Sequence, residues 1–251
     1  MNLTTQLLII CPAVFFAGFV DAVAGGGGLI SLPAYIMTGL PMHNILATSK
    51  IMSTVGTGTA TMKYIKSGKV QWNTAITSAI FSFAGSWAGS QFALMIDQTL
   101  LKKGFTILLP FIAIFVLFNK GADNGIQKLF GLKMYIAAAL IGFIIGLYDG
   151  LIGPGTGTFL IFGFTMIIGL DYITAGGNAK IVNLSSNFAA AVNFILSGKV
   201  LWIIAIPAAF FNILGNYLGS NYAIKNGNKA IKKMLIFVLI GIFIKLIADV
   251  L

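Results

Sequence analysis

The sequence predicts an all-α integral membrane protein built as two inverted repeats of about five helical segments each, with a glycine-broken hairpin in each repeat. Three observations predict it: a composition too apolar for water, a self-similarity at a nearly fixed offset, and a short second segment in each copy. Of the 251 residues, 58% are hydrophobic and 9% charged, with a mean hydropathy of +0.96. A soluble domain carries roughly 25% charged residues, so the bilayer is the expected solvent. Cutting the chain at its polar clusters leaves about ten apolar segments, most near the roughly 20 residues that a helix needs to cross hydrocarbon. The connections are too short to fold separately, so residues 1–251 are expected to form a single transmembrane domain.

The repeat is read by sliding the sequence on itself. An offset of 128 places Gly18 on Gly146, Asp21 on Asp149, Gly25 on Gly153 and Gly27 on Gly155. Two residues later in register, an offset of 130 places Lys50 and Ile51 on Lys180 and Ile181, Ser67-Gly68-Lys69-Val70 on Ser197-Gly198-Lys199-Val200, and Trp72 on Trp202. Gly85, Gly89 and Ser90 fall on Gly215, Gly219 and Ser220, and Lys102 and Lys103 on Lys232 and Lys233. Two copies of one unit follow, repeat 1 over about 1–120 and repeat 2 over about 130–251.

Each unit divides into five segments, 5–24, 27–40, 44–66, 72–96 and 100–118, then 132–150, 156–170, 174–197, 200–223 and 230–250. The second of each set, at 1.5 Å per residue, reaches only about 21 to 22 Å, short of the roughly 30 Å core. Segments one and two therefore form a hairpin that returns to its starting side. The three spans that follow make the number of crossings odd, so the copies must have opposite orientations. That is the inverted-repeat plan of secondary transporters, which place the substrate at the repeat interface.

The formal charge of +10 comes from sixteen lysines, no arginine and six aspartates. Nucleic acid is rejected as a partner, because the lysines lie between apolar segments where the positive-inside rule accounts for them. Ten lysines fall on one side and four on the other, which puts the richer side in the cytoplasm and both termini outside. The first 24 residues carry no lysine or arginine ahead of the apolar run, so they are expected to remain as a helix rather than be cleaved. Trp72 and Trp202 fit interfacial anchors, and Cys11, the single cysteine, fits a buried apolar position.

The candidate chemistry sits at the two glycine clusters. In one, Asp21 precedes Gly25, Gly26, Gly27 and Gly28; in the other, Asp149 precedes Gly153, Pro154, Gly155, Thr156, Gly157 and Thr158. Glycine permits positive φ and close backbone approach, and Pro154 forbids a continuous helical ladder. A break within a membrane normally lines a cavity, and the N-terminal amides of the following short helices favour anions. The alternative is that the glycines serve only close helix packing. Lys50 and Lys180 lie about 9 Å into the third segment of each copy. Each needs a partner, for which Asp21, Asp149 or a bound anion is available, unless it snorkels to the interface. Ser53, Thr54, Thr57 and Thr59 in one copy, and Asn183, Ser185, Ser186 and Asn187 in the other, form a polar stripe that is costly against lipid. The substrate-binding set expected from these arguments is Gly25 to Gly28, Lys50, Gly153, Gly155, Thr156, Gly157, Thr158, Lys180, Asn183 and Asn187. Asp21 and Asp149 are expected to couple or to pair with the lysines.

No catalytic constellation is present. There is no glutamate and no cysteine pair, and the only histidine, His43, falls in an expected interfacial loop. The sequence predicts no enzyme, no cofactor and no metal.

The segments Gly18 to Pro33, Asp149 to Phe159, Ala179 to Phe188 and Ser197 to Val200 resemble the TauE/SafE family of membrane proteins over nearly the whole chain. The Asp-Gly...Gly-Pro-Gly-Thr-Gly motif is similar to that of one branch. The resemblance implies a multi-pass transporter of a bacterial or archaeal cytoplasmic membrane, acting on sulfite, sulfonates or related organic anions. An anion channel and a membrane-embedded accessory subunit are the alternative functions. A small anionic solute and the lipid bilayer are the expected partners, with H+ or Na+ as a coupling ion and a homodimer compatible with the plan.

Overall fold

The computed structural model describes residues 1–104 and 126–250, from 235 onward by backbone alone. Most of the expected segment 100–118 lies outside the described residues. The rest is helical, without a strand among the described residues. Helix α1 spans Leu3–Ala24, α2 Gly28–Met37, α3 Met42–Lys66 and α4 Trp72–Met95. Helix α5 spans Gly131–Leu151, α6 Thr156–Phe162 with a π-helical continuation Gly163–Ile168, α7 Tyr172–Leu196, and α8 Trp202–Val250 with a break at Gly227.

Four helices among the described residues are long and apolar enough to cross a membrane: α1, α5, α7 and the Trp202–Ile231 part of α8. Helices α3 and α4 have 25 and 24 residues, about 36 Å or more at 1.5 Å per residue, which is also spanning length. They are less apolar because their polar residues face protein. On α4, Ser78, Ser82, Ser86 and Ser90 recur every four residues and are all buried. The second segments are shorter than expected, with 10 residues in α2 and 7 in α6 before the π-helical turn.

The local causes of these boundaries are visible. Asn2 caps α1 by accepting from Thr5 N–H at 2.9 Å, and Asp171 caps α7 by accepting from Ile173 N–H at 3.1 Å and Thr174 N–H at 3.2 Å. Gly25 ends α1 with φ +77°, a left-handed conformation that glycine adopts without a Cβ penalty. Helix α3 begins at Met42, so His43 lies in a buried helical turn and not in an interfacial loop. Its Nε2 is 3.0 Å from Ala93 O and 3.1 Å from Ile96 O, which ties α3 to the end of α4.

The helices pack as two groups. In one, α1 lies along α8 and α3 packs on α8; in the other, α5 lies along α4 and α7 packs on α4. Each group therefore contains a fourth segment contributed by the other sequence half. Gly142, Gly146 and Gly150 of α5 face the backbone carbonyls of Ser78, Ser82 and Ser86 of α4, so closely that a Cβ would overlap them. Gly215 and Gly219 of α8 face the carbonyls of Phe15 and Phe19 of α1 in the same way. These are small-xxx-small contacts, the usual means of close helix approach where lipid supplies no hydrophobic drive.

Helices α3 and α7 cross between the groups and run antiparallel. Leu201 N–H, just beyond the end of α7, donates to Thr48 Oγ1 near the start of α3 at 3.1 Å. Gln71 N–H, beyond the end of α3, donates to Asn178 Oδ1 near the start of α7 at 2.9 Å. Adding 130 to Gln71 and Thr48 gives Leu201 and Asn178, so one contact is the counterpart of the other.

Candidate solute site between the helix groups

The site is built where the glycine turns of the two halves meet. Gly25 sits against Gly157, and a Cβ on Gly157 would lie 2.5 Å from Gly25 Cα. Gly28 faces Pro154, whose Cα would be 3.0 Å from a Cβ there. Gly153 and Gly155 have φ of +87° and +81°, which glycine supplies at low cost. One backbone carbonyl of each turn is tied off, with the Tyr148 hydroxyl donating to Pro154 O at 2.6 Å in the second and Thr158 Oγ1 donating to Ala24 O at 2.8 Å in the first.

Beside these turns lies a cavity of about 40 Å³. At roughly 10 to 15 Å³ per water it has room for about three waters, the scale of a small ion or molecule. Its wall comes from both halves. The first half contributes Asp21, Gly25, Gly27, Gly28, Ser31, Ser49, Lys50, Ser53 and Thr57; the second contributes Asp149, Gly153, Thr156, Gly157, Asn183, Asn187 and Asn212.

The two lysines lie inside the protein. Lys50 and Lys180 each stand eight residues beyond the start of their helix, about 12 Å along it, and both are buried. They pair crosswise. Lys50 Nζ is 2.7 Å from Asp149 Oδ2 and donates to Asn187 Oδ1 at 3.0 Å. Lys180 Nζ is 2.9 Å from Asp21 Oδ2 and also donates to the Asp21 backbone carbonyl. Pairing of this kind removes the reason for a buried ammonium to snorkel.

The two pairs differ in exposure. The side chains of Lys50 and Asp149 are 7% and 2% exposed, and both line the cavity; those of Lys180 and Asp21 are 1% and 15% exposed, and only Asp21 lines it. Thr57 Oγ1 reaches Asp21 Oδ2 at 3.5 Å, and Thr156 Oγ1 donates to Asp149 Oδ1 at 2.7 Å. Asp149 Oδ2 contacts Lys50 without hydrogen-bond alignment and has no other polar partner among the described residues.

Of the expected set, Gly25, Gly27, Gly28, Lys50, Gly153, Thr156, Gly157, Asn183, Asn187, Asp21 and Asp149 come together in the cavity's lining. Gly26, Gly155, Thr158 and Lys180 stand behind it. Gly26 O accepts Leu29 N–H at 3.1 Å in the first turn of α2, and Gly155 is the left-handed residue before α6. Asn212 was missed by the sequence reading. It donates to Val14 O at 2.9 Å, and a Cβ on Gly56 would overlap its side chain. Its repeat counterpart is Ser82, so self-comparison gave no identical pair to notice.

The family model described as "Sulfite exporter TauE/SafE" matches residues 10–246. The chain belongs to the TauE/SafE family. A "Probable membrane transporter protein ORF9" of Sinorhizobium is 35% identical to it over 97% of the chain and 93% of the relative. A "Probable membrane transporter protein" of Haemophilus influenzae is 31% identical over 99% of the chain and 98% of the relative. The "Probable membrane transporter protein YfcA" of Escherichia coli K12 is 31% identical over 93% of the chain and 86% of the relative. No solved structure matches the chain. This TauE/SafE protein is thus a membrane protein of a transporter family. The residues on which the resemblance was read include both lysine–aspartate pairs except Lys50.

Proposed function

We propose that this TauE/SafE chain is a secondary transporter of a cytoplasmic membrane that moves a small anion by alternating access. Sulfite, a sulfonate or a related organic anion is the solute. The observation that carries the reading is the small cavity between the two helix groups, in which Lys50 presents an ammonium beside the amide side chains of Asn183, Asn187 and Asn212. The N-terminus of α2 opens on the same cavity at Gly27 and Gly28, and the amides of a helix start favour negative charge. Asp149 balances Lys50, so the site is selective through a contest for one ammonium rather than through a net positive field.

The antiparallel course of α3 and α7, with their matching contacts, supports an inverted repeat. In such a plan the two access states are related by exchange of roles between the halves. A cavity bounded by both helix groups is the place that such an exchange would expose to each side in turn.

The test is binding by thermal stabilisation of the purified protein against sulfite, methanesulfonate, sulfate, chloride and the cation choline. A ligand of the folded state stabilises by RT ln(1 + [L]/Kd), about 2.7 kcal/mol at 100 times Kd. Stabilisation by sulfite or methanesulfonate, together with saturable uptake into proteoliposomes, is expected. Stabilisation by choline alone, or flux that never saturates, would overturn it.

A further inference from the structure

We propose that Asp149 is the proton-carrying residue of this site, so that one anion enters the cavity together with one proton. The inference rests on the anion reading above and adds the coupling ion and its location.

The argument starts from the contest for Lys50. Its ammonium lines the cavity and is shared between Asn187 Oδ1 and Asp149 Oδ2. An anion in a cavity of about 40 Å³ has to approach that ammonium closely. As it does, Asp149 loses its counter-charge. Oδ1 keeps the Thr156 hydroxyl at 2.7 Å, but Oδ2 has no hydrogen bond to fall back on. A carboxylate that is 2% exposed and stripped of its cation is an expensive species, which is relieved by taking up a proton. The exchange balances: the anion and H+ enter, the ammonium of Lys50 passes from Asp149 to the anion, and the proton ends on Asp149 Oδ2. The site is neutral before and after.

The other pair lacks this arrangement. Lys180 is held by both the carboxylate and the backbone carbonyl of Asp21 and does not line the cavity, so a solute there cannot compete for it. The titratable groups around Asp149 are few. Lys50 comes from α3, Asp21 lies across the cavity on α1 with Lys180 of α7 paired to it, and Tyr148 precedes it on α5 with its hydroxyl donating to Pro154 O. Helices α4 and α6 contain no Asp, Glu, Lys or His, and α8 brings Asn212 to the wall.

The experiment is calorimetry on the full-length protein with methanesulfonate, whose own acid is too strong to carry a proton at neutral pH. Heats measured in Bis-Tris and in Tris, two amine buffers with different ionisation enthalpies, at the same pH give the protons taken up per anion bound. One proton is expected for the parent, with anion affinity falling about tenfold per unit rise in pH. Asp149→Asn should bind the anion with no proton uptake and a flat pH dependence, and Asp97→Asn, at an exposed carboxylate beyond the end of α4 and away from the cavity, should keep the uptake. Binding by the parent without proton uptake would overturn the inference and leave the anion reading standing, and it requires no variant to fold. Proton uptake retained in Asp149→Asn would overturn the assignment to Asp149. Absence of binding by methanesulfonate and by sulfite alike would overturn both readings.

Discussion

Removing both charges of a crosswise ion pair should cost less than the sum of removing each alone. In Lys50→Met the apolar stem remains, but Asp149 is left with a carboxylate that is 2% exposed and an Oδ2 without a partner. Breaking a buried pair from one side costs about 3 to 5 kcal/mol, a large part of the 5 to 15 kcal/mol by which a folded domain is typically stable. Asp149→Asn should cost less, because the stranded Lys50 still donates to Asn187 at 3.0 Å. The double variant leaves no buried charge and should recover about 1 to 3 kcal/mol relative to the sum of the singles. The same cycle on Lys180 and Asp21 should show coupling of the same sign. The combinations Lys50 with Asp21 and Lys180 with Asp149, which share no contact, should couple clearly less. Reversible unfolding in mixed detergent micelles, followed by tryptophan fluorescence, measures all four cycles. Additive singles within each crosswise pair, or Lys50 coupling to Asp21 as strongly as to Asp149, would refute the pairing.

Cysteines placed at Asn2 and Lys229 in a Cys11→Ser background should react with an impermeant thiol reagent from opposite sides of the membrane; labelling from one side would rule out an odd number of crossings between them. Gly25→Ala and Gly157→Ala should both abolish solute uptake, because each Cβ would overlap the other turn's backbone, whereas Gly58→Ala, whose nearest neighbour would be Leu184 Cδ1 at 3.8 Å, should transport like the parent. Asp171→Ala should lower stability by about 1 kcal/mol, read as a shift in the unfolding midpoint, since it removes the cap on the Ile173 and Thr174 amides; an unchanged midpoint would remove the cap from the account.

The helices and their breaks were legible in the sequence because apolar length and glycine–proline clusters are local signals. The start of α3 was placed two residues late. Pro41, fixed near φ −60° and lacking an N–H, precedes the helix and could have marked it. The lysines and aspartates were legible as a repeated set, yet their pairing was not. Spacing alone allows Asp21 to meet Lys50 within one half or Lys180 in the other, and the choice depends on how the halves interleave. Interleaving is set by glycine faces such as Gly142, Gly146 and Gly150 against α4. That spacing reads equally well as contact within a half, between halves or between molecules.

The interleaving bears on how the cavity can open. Helices α1 and α8, and likewise α4 and α5, touch backbone to backbone through glycine, and each pair joins one half of the sequence to the other. Sliding either pair would drive a glycine face into carbonyl oxygens, so the sequence halves cannot move apart as bodies. The natural seam runs instead between the group of α1, α3 and α8 and the group of α4, α5 and α7. There α3 and α7 leave room at mid-length, with Leu184 Cδ1 3.8 Å from where a Cβ on Gly58 would stand, and close up toward the end of α3, where a Cβ on Gly177 would overlap Lys69 O. Both ion pairs bridge this seam, Lys50 of α3 to Asp149 of α5 and Lys180 of α7 to Asp21 of α1. A relative motion of the two groups therefore works directly against two buried charge contacts, each expensive to break without replacement. An anion on Lys50 together with a proton on Asp149 supplies the replacement for one of them and leaves the Lys180 pair as the other charge contact to be broken.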